Sequence, residues 1–353
     1  PGQGSYNRPM QPLSTPSQLP TGRLLASLNP EQRAAVTLPA EHALILAGAG
    51  SGKTRVLTTR IAWLLQTGQV SPAGILAVTF TNKAAKEMMT RLTSMLPVNV
   101  RGMWIGTFHG LCNRFLRAHW KLAGLPQGFQ ILDAADQVAA VKRVVKAMAL
   151  DEERFPPKQA AYFISGSKEE GLRPQNIDAP DPHTAKLIEV YAAYEAQCQR
   201  EGVVDFGELM LRSYELMRDN DAVREHYRRR FAHVLVDEFQ DTNKLQYKWL
   251  QMFAPPEQPK GVFAVGDDDQ SIYAFRGAQV GNMADFEREY RVPQVIKLEQ
   301  NYRSYAHILD AANALIAHNT KRLGKNLRTD AGSGEPVRVF EATSDYGEAQ
   351  WLL

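Results

Sequence analysis

The feature that most constrains this chain is a glycine-rich segment between an apolar run and a helix-like pattern. Residues 46–54 read Leu-Ala-Gly-Ala-Gly-Ser-Gly-Lys-Thr. Apolar residues 43–45 precede them, and apolar residues at helical spacing follow from Val56 to Leu65. This order predicts a buried strand, a tight turn and a helix N-terminus. Backbone N–H groups and the helix dipole at such a turn bind phosphate, so the segment predicts nucleotide binding.

The loop ends in the two residue types that phosphate chemistry requires. Lys53 is predicted to reach the β- and γ-phosphates of ATP, and the Thr54 hydroxyl is predicted to ligate Mg²⁺. The strict pattern has glycine where this chain has Ala47, but the glycines that follow keep the turn open to a phosphate. The alternative is a glycine-rich connection with no ligand. The predicted nucleotide contacts in this segment are Ala49, Gly50, Ser51, Gly52, Lys53, Thr54 and Arg55.

Composition narrows the class of protein without identifying a partner. The chain has 353 residues, of which 44% are hydrophobic and 22% are charged, as in ordinary globular proteins. A net charge of +3 is too small to establish a nucleic-acid partner. Cys112 and Cys198 are the only cysteines, which excludes a disulfide framework or a zinc site. No apolar run reaches the ~20 residues of a membrane span, and no secretory signal is found, so a cytoplasmic protein without a membrane partner is predicted.

The chain divides into segments of different character. Residues 1–23 are rich in Pro, Gln, Ser and Gly and contain no acidic residue, which predicts a disordered leader. Structure is predicted to begin at Leu28, where Asn29 can cap a helix N-terminus. The chain starts at Pro1 and stops at Leu353 inside a predicted helix, so it is expected to be part of a longer protein.

Six short apolar runs, each followed by a polar or glycine-rich turn, predict strands. They are Ala43–Ala47, Ile75–Thr79, Met103–Gly106, Val234–Val236, Val262–Val265 and Val295–Leu298. Apolar strands separated by helical segments predict an α/β fold with a parallel sheet covered by helices on both faces. Between about Asn113 and Asp205 the pattern is helical, as in Val138–Met148 and Leu187–Gln199, which predicts a helical insertion.

A second element of phosphate chemistry follows the fourth predicted strand. Asp237 and Glu238 come directly after the apolar residues 234–236. Because ligands of parallel α/β sheets bind at the carboxyl ends of strands, both acids can lie beside Lys53 in space. Asp237 is predicted to hold Mg²⁺ through water, and Glu238 to activate the attacking water as general base. A solvated acidic turn is the alternative if this segment is taken alone.

At this point the chain resembles the UvrD/Rep family of superfamily 1 DNA helicases. The resemblance rests on ordered motifs at 28–32, 47–54, 79–88, 106–112, 236–241, 265–277 and 298–304. It covers almost everything from Leu28 to the end, and the family usually has alanine where this chain has Ala47. It implies a P-loop NTPase of RecA type with an inserted, mostly helical subdomain. The implied division is a motor domain at 24–115 and 205–298, an insertion at 116–204 and the start of a second motor domain at 299–353.

The resemblance assigns further residues to the ATP site. Gln32 is implied to read the adenine edge, and Tyr302 to stack on the adenine. Gln270 resembles the glutamine that senses the γ-phosphate, and Arg303 resembles the family's first arginine finger, which stabilises charge on the transferred phosphoryl group. Without the resemblance, a surface salt bridge is an equally good interpretation of Arg303.

The same motifs supply aromatic and polar residues at strand ends, where stacked bases and phosphates could be held. The predicted DNA contacts are Phe80, Asn82, Lys83, Thr107, Phe108, His109, Tyr273, Phe275 and Arg276. For each aromatic ring alone, core packing is the alternative. The family usually has tryptophan at the position of Phe275, so the smaller ring predicts somewhat weaker stacking.

These residues together predict an ATP-dependent DNA helicase or translocase that moves on single-stranded DNA and opens duplexes in repair or replication. By resemblance it moves 3′ to 5′ and acts at junctions of single strand and duplex, with repair proteins among its expected partners. The alternatives are the helicase subunit of a helicase–nuclease complex and a nucleotide- and DNA-binding module without turnover. The family's second arginine finger lies in motifs beyond Leu353, so these residues alone are expected to hydrolyse ATP poorly.

Overall fold

The computed structural model describes residues 21–97, 99–258, 260–274, 277–279 and 281–353. Most of the predicted leader, and the predicted DNA contacts Phe275 and Arg276, lie outside the described residues. A short helix begins at Thr21, ahead of the start predicted at Leu28. Within the described ranges, no helix is both long and apolar enough to cross a membrane.

A six-stranded sheet forms the centre of the protein. Two further strands form a separate pair. In chain order all the strands are β1 (Ala43–Ala47), β2 (Ile75–Thr79), β3 (Trp104–Thr107), β4 (Gln130–Ile131), β5 (Val203–Val204), β6 (His233–Val236), β7 (Gly261–Gly266) and β8 (Gln294–Leu298). The separate pair is β4 with β5. The six-stranded sheet has the order β3-β2-β6-β7-β1-β8, and all of its pairs are parallel. The predicted parallel α/β fold is confirmed, and the phosphate-loop strand β1 lies inside the sheet.

Helices cover both faces of this sheet. In chain order they are α1 (Thr21–Leu25), α2 (Pro30–Val36), α3 (Lys53–Gln66), α4 (Asn82–Met95), α5 (Phe108–Ala118), α6 (Ala134–Ala147), α7 (Pro157–Glu169), α8 (Pro182–Glu201), α9 (Phe206–Asp219), α10 (Asp221–Arg230), α11 (Lys244–Phe253), α12 (Asn282–Glu289), α13 (Ala306–Ile316) and α14 (Asp345–Leu352). Helices α2 to α4 pack on one face, and α5 and α9 to α12 pack on the other.

The two cores follow from the alternation of side chains along each strand. In β1, Leu44 and Leu46 point to the face covered by α5 and α9. Ala43, Ile45 and Ala47 point to the face covered by α3. Successive strand residues point to opposite faces, so a strand that is apolar at every position must be buried on both sides.

The segment between β4 and β5 has its own small core. Helices α6, α7 and α8 pack around residues such as Val141, Ile164 and Tyr191, each less than 1% exposed. β4 and β5 pair with each other, with Ile131 opposite Val204. The chain therefore enters and leaves the helical segment α6 to α8 through two neighbouring, paired strands.

A buried cluster of charges joins α7 to α9. The Lys168 ammonium lies 2.8 Å from carboxylate oxygens of both Asp205 and Glu208, and all three side chains are at most 6% exposed. Burial alone would lower the pKa of Lys168, but Glu208 and Asp205 outweigh it and raise that pKa. Against the effect of burial, Lys168 and Arg173 hold the pKa of Glu208 well below its usual value. This cluster was not predicted from the sequence.

Candidate nucleotide and nucleic-acid site

The phosphate loop connects β1 to α3 and requires glycine at two positions. Gly50 and Gly52 have φ values of 68° and 88°, in the left-handed region that favours glycine. A Cβ on Gly50 would lie 2.6 Å from Nδ2 of Asn301, and one on Gly52 would lie 2.8 Å from Nε2 of Gln32. Helix α3 then begins at Lys53, so its first N–H groups face the loop. The backbone is therefore shaped as an anion-binding turn.

Lys53 and Glu238 meet across this loop. The Lys53 Nζ lies 3.0 Å from Glu238 Oε2, although 185 positions separate the two residues along the chain. Glu238 has a φ of 49°, an unusual conformation for a residue other than glycine. The Asp237 carboxylate is buried and accepts the N–H of Glu238 at 3.0 Å. The structure therefore brings the three predicted catalytic residues Lys53, Asp237 and Glu238 together.

The predicted magnesium ligands have the chemistry that Mg²⁺ prefers. Thr54 and Asp237 would offer a hydroxyl and a carboxylate oxygen, both of them hard ligands. Burial, and secondarily the charge of Glu238, raises the pKa of Asp237 to about 6. A buried carboxylate beside a second carboxylate is stabilised by a bound cation. The residues present therefore fit a divalent ion at this position.

The predicted adenine contacts lie on the other side of the loop. Gln32 is only 2% exposed, and its Nε2 donates to the carbonyl of Ser51 at 2.9 Å. Its Oε1 accepts the N–H of Asn29, so Gln32 also completes the cap of α2. The Tyr302 N–H donates to Gly50 O at 2.9 Å, while its ring is 61% exposed. Gln32 and an accessible aromatic ring thus flank the loop, and Arg55 is exposed on the first turn of α3.

Arg303 is exposed and lies beside the phosphate loop. Its Cβ is 2.8 Å from the position that a Cβ on Gly50 would occupy. Asn301 holds this segment, because its Oδ1 accepts the N–H groups of Arg303 and Ser304 and its amide donates to Ala49 O. Arg303 therefore lies beside the phosphate loop, and its role as an arginine finger stays a prediction.

Gln270 lies at the end of β7 in a strongly charged turn. Its Nε2 donates to Asp267 Oδ2. The ammonium of Lys325 contacts the three consecutive aspartates 267–269, and Arg322 pairs with Asp269. These aspartates are close enough together to hold a metal ion, but Lys325 and Arg322 already contact them. The contacts tie the segment after α13 to the end of β7.

Several predicted DNA contacts line one cavity at the carboxyl ends of the strands. The cavity has a volume of about 950 Å³ and lies between the sheet and α6, α7 and α9. Among its lining residues are Phe80, His109, Glu238, Gln270 and Tyr273. Tyr273 is 37% exposed, and Asn82 and Lys83 are exposed on the first turn of α4. The nucleotide loop and this cavity therefore share Glu238.

The structure does not support the predicted stacking role of Phe108. Its ring is 2% exposed and packs between Phe80, at 5.4 Å, and Trp249, at 5.8 Å. As the first residue of α5 it points into the core, where the alternative interpretation placed it. Thr107 also has a local role, because its hydroxyl accepts the N–H of Gly110 and caps α5.

Comparison with known proteins identifies the family. Residues 28–291 match the UvrD/REP helicase N-terminal domain, and residues 296–353 match the UvrD-like helicase C-terminal domain. The chain belongs to the UvrD/REP helicase family. DNA helicase II of Escherichia coli is 51% identical over 331 residues, which cover 94% of this chain and 46% of that protein.

Other relatives within the UvrD/REP family show the same coverage. DNA helicase II of Haemophilus influenzae is 50% identical over 93% of this chain and 46% of its own length. The ATP-dependent DNA helicase PcrA of Staphylococcus epidermidis is 41% identical over 94% of this chain and 45% of its own length. The chain therefore spans about half the length of the curated relatives it matches.

Two residues that support this site were not predicted from the sequence. Arg60, on α3, is 1% exposed and donates to the carbonyls of Val36, Leu38 and Pro39 at the end of α2. It fixes the helix that carries Gln32 against the helix that carries Lys53. Burial lowers the pKa of Arg60 to about 10. Its spacing of four residues from both Val56 and Leu64 places it on the buried face of α3, and this periodicity is the signal in the sequence that could have found it.

Gln240 is the second missed residue and connects the nucleotide side to β7. It is 3% exposed; its Nε2 donates to Glu238 Oε2 at 2.8 Å, and its Oε1 accepts the N–H of Asp267 at 3.0 Å. Gln240 lies within the motif 236–241, but its contact with Asp267 depends on the position of β7 beside β6. The spacing of residues along the sequence does not show which strands are neighbours.

Replacement of Gln240 by leucine is expected to lower the free energy of unfolding by about 1–3 kcal/mol. The substitution leaves the buried N–H of Asp267 without an acceptor. Urea denaturation measures the effect. Gln69→Leu, at an exposed position, is the matched control and is expected to change stability by less than about 0.5 kcal/mol. Equal stability of the two variants would show that water replaces the lost acceptor.

Proposed function

We propose that this chain is the ATP-binding motor region of an ATP-dependent DNA helicase that translocates on single-stranded DNA. The observation that carries the proposal is the contact of Lys53 with Glu238 at the phosphate loop. Glu238 also lines the cavity that holds Phe80, His109 and Tyr273. One carboxylate is thus shared by a nucleotide site and a candidate path for bases. The relatives' names, DNA helicase II and ATP-dependent DNA helicase PcrA, agree with this assignment.

In the proposed reaction, Lys53 exchanges its contact with Glu238 for the β- and γ-phosphates of ATP. Thr54 and Asp237 would hold Mg²⁺, which when bound neutralises charge on the phosphates. Glu238, released from Lys53, orients and polarises the attacking water. Arg303, beside Gly50, stabilises the charge that develops on the transferred phosphoryl group.

Coupling to DNA is proposed to pass through Gln240 and Gln270. Gln240 contacts both Glu238 and the backbone of Asp267, and Gln270 contacts the side chain of Asp267. A change at the γ-phosphate can therefore reach the turn that carries Tyr273. Movement of that turn would shift a stacked base along the strand.

The charge of the cavity indicates which part of the strand faces it. Four carboxylates line it, from Glu169, Glu238, Asp241 and Asp269. Burial, followed by the charge of Glu238, raises the pKa of Asp241 to about 6. Glu238 and Asp269 pair with cations, but Glu169 and Asp241 form no ion pair with a described residue and would repel phosphates. Bases are therefore proposed to face the cavity while the backbone runs past Asn82 and Lys83.

The finer features of the activity rest on the resemblance to the family. We propose 3′ to 5′ movement, action at junctions of single strand and duplex, repair proteins as partners and a cytoplasmic location. The decisive experiment is steady-state ATP hydrolysis by the full-length protein with and without oligo-dT. Stimulation by oligo-dT is expected. An equal rate of ATP hydrolysis with and without oligo-dT would contradict a translocase. Binding of ATP and DNA without ATP hydrolysis would favour a nucleotide- and DNA-binding module.

Glu238→Gln is expected to lower ATP turnover on single-stranded DNA about a hundredfold while ATP stays bound. The amide cannot accept a proton from water, but Lys53, Thr54 and Asp237 remain to hold the nucleotide. Retention of labelled ATP on a filter, measured beside turnover, separates the two effects. Glu189→Gln, a half-exposed surface position on α8, is the control. Normal hydrolysis by Glu238→Gln would mean that another group activates the water.

A further inference from the structure

A positively charged surface lies at the end of the sheet opposite the phosphate loop. Trp104 is the first residue of β3, and Arg230 ends α10 just before β6 begins. Both therefore lie at the amino ends of parallel strands, whereas Lys53 and Glu238 lie at the carboxyl ends. A five-residue strand separates the two ends by about 17 Å. We name four arginines the basic patch: Arg114, Arg117, Arg229 and Arg230.

Two members of the basic patch are held in place on one tryptophan. The guanidinium carbons of Arg114 and Arg230 lie 4.6 Å and 5.2 Å from the ring centroid of Trp104. Arg114 also donates to Met103 O at 3.2 Å, and Arg230 donates to Ala73 O at 3.1 Å. Burial and then the charge of Arg230 lower the pKa of Arg114. Two like charges are thus fixed close together.

The carboxylates near the basic patch are few, and those of α10 pair with other arginines. The sequence contains no Asp or Glu from residue 88 to residue 132, a stretch that includes β3 and α5. On α10, two other arginines pair with carboxylates three residues earlier. Arg229 and Arg230 have no such partner among the residues that the structure describes. The positive charge of the basic patch is therefore not neutralised by those residues.

Two histidines extend the same surface between α5 and α10. The ring centroids of His119 and His226 lie 5.5 Å and 5.0 Å from that of Tyr227. Burial and then the charge of His226 lower the pKa of His119. Two imidazole groups thus adjoin the arginines, and the carboxylate of Glu225, which precedes His226, pairs with Arg228.

We propose that the basic patch binds the phosphate backbone of duplex DNA, as a second contact in addition to the single-strand cavity. Trp104 and Tyr227 are each 3% exposed beneath the cations. They cannot stack on bases, as single-strand recognition requires, nor anchor an apolar peptide side chain. The patch offers guanidinium hydrogen-bond donors and positive charge, which suit binding of backbone phosphates independently of the DNA sequence.

The test removes the charges of Arg117 and Arg229, two exposed members of the patch that do not pack on Trp104. Arg117→Gln combined with Arg229→Gln is compared with Arg91→Gln combined with Arg288→Gln. The control arginines are exposed and paired with carboxylates, so both variants lose two positive charges. Affinity of the full-length protein for a blunt duplex and for a short oligo-dT is measured by fluorescence anisotropy at several salt concentrations.

The patch variant is expected to bind the duplex about tenfold more weakly at 0.1 M salt. The slope of log K against log salt should fall by about 2, one for each lost phosphate contact. Binding of oligo-dT and DNA-stimulated ATP hydrolysis should stay unchanged, so failure of the proposed helicase function would be seen separately in those assays. The control variant should match the wild type.

Three results would overturn the proposal. One is unchanged duplex affinity and salt slope in the patch variant. Another is an equal loss of duplex affinity in the control variant, which would show that the loss results from the change in net charge alone. A third is unchanged duplex binding with loss of binding to a polyglutamate peptide, which would indicate an acidic protein partner. Arg114→Gln with Arg230→Gln extends the series, with thermal unfolding as a check because both arginines pack on Trp104.

Discussion

Lys53→Ala is expected to lower ATP turnover about a thousandfold in the full-length protein while weak single-strand binding persists. The Lys53 side chain is 14% exposed and is the cation that contacts Glu238. Its loss removes a phosphate contact formed in a preorganised site, where one such donor is worth up to about 10³ in rate. It also leaves Asp237 and Glu238 without a counter-charge, so a polyanionic nucleotide is repelled. Steady-state hydrolysis with saturating oligo-dT measures the effect.

The control for this variant is Lys186→Ala. Lys186 is on α8, 37% exposed, and pairs with Glu189 on the same helix. Its removal should leave turnover unchanged. Turnover of Lys53→Ala within threefold of the wild type would refute the assignment of residues 46–54 as the phosphate loop.

Lys168→Ala is expected to lower the free energy of unfolding by about 3–5 kcal/mol. Lys168 is 2% exposed and lies 2.8 Å from both Asp205 and Glu208. Removal of the ammonium leaves two buried carboxylates, of which Arg173 contacts Glu208. A buried charge without its partner is costly because no water replaces the lost interaction. Urea denaturation followed by circular dichroism measures the change.

A surface lysine of the same region provides the comparison. Lys142 is 61% exposed and lies 3.7 Å from Glu152, so Lys142→Ala should cost less than about 1 kcal/mol. If Lys168→Ala cost no more than this, the two carboxylates would have to be protonated or hydrated in the variant. Adding Asp205→Asn to Lys168→Ala should then bring no recovery of stability, whereas recovery is expected if the charge is unpaired.

Local patterns of apolar residues were sufficient to predict most strands of the sheet. The strand predicted at Ala43–Ala47 has those bounds in the structure, and the one predicted at Met103–Gly106 is shifted by a single residue. Such strands are apolar at every position and end at turns, so a few neighbouring residues are enough to identify each strand. The contact of Lys53 with Glu238 was also predictable, because the topology of a parallel sheet brings strand ends to one edge.

Features that depend on distant segments were not predictable in this way. Lys168 lies on a helix where a lysine is ordinarily exposed, and only the approach of α9 makes it buried. Gln240 depends in the same way on β7. Phe108 is different, because apolar residues at 108, 111, 112 and 115 already mark one buried helical face. Its family motif suggested a DNA contact, and the simpler periodicity was the better guide.

The pairing of β4 with β5 affects the order in which the chain can fold. β3 and β6 belong to one sheet, yet the whole helical segment separates them in sequence. Once Ile131 and Val204 have met, the chain that must still be closed between β3 and β6 is less than half as long. Each halving of a loop lowers its closure cost by only about 0.6 kcal/mol. If α6 to α8 fold before the sheet closes, the search for the pairing of distant strands is shortened, while the stability of the folded protein changes little.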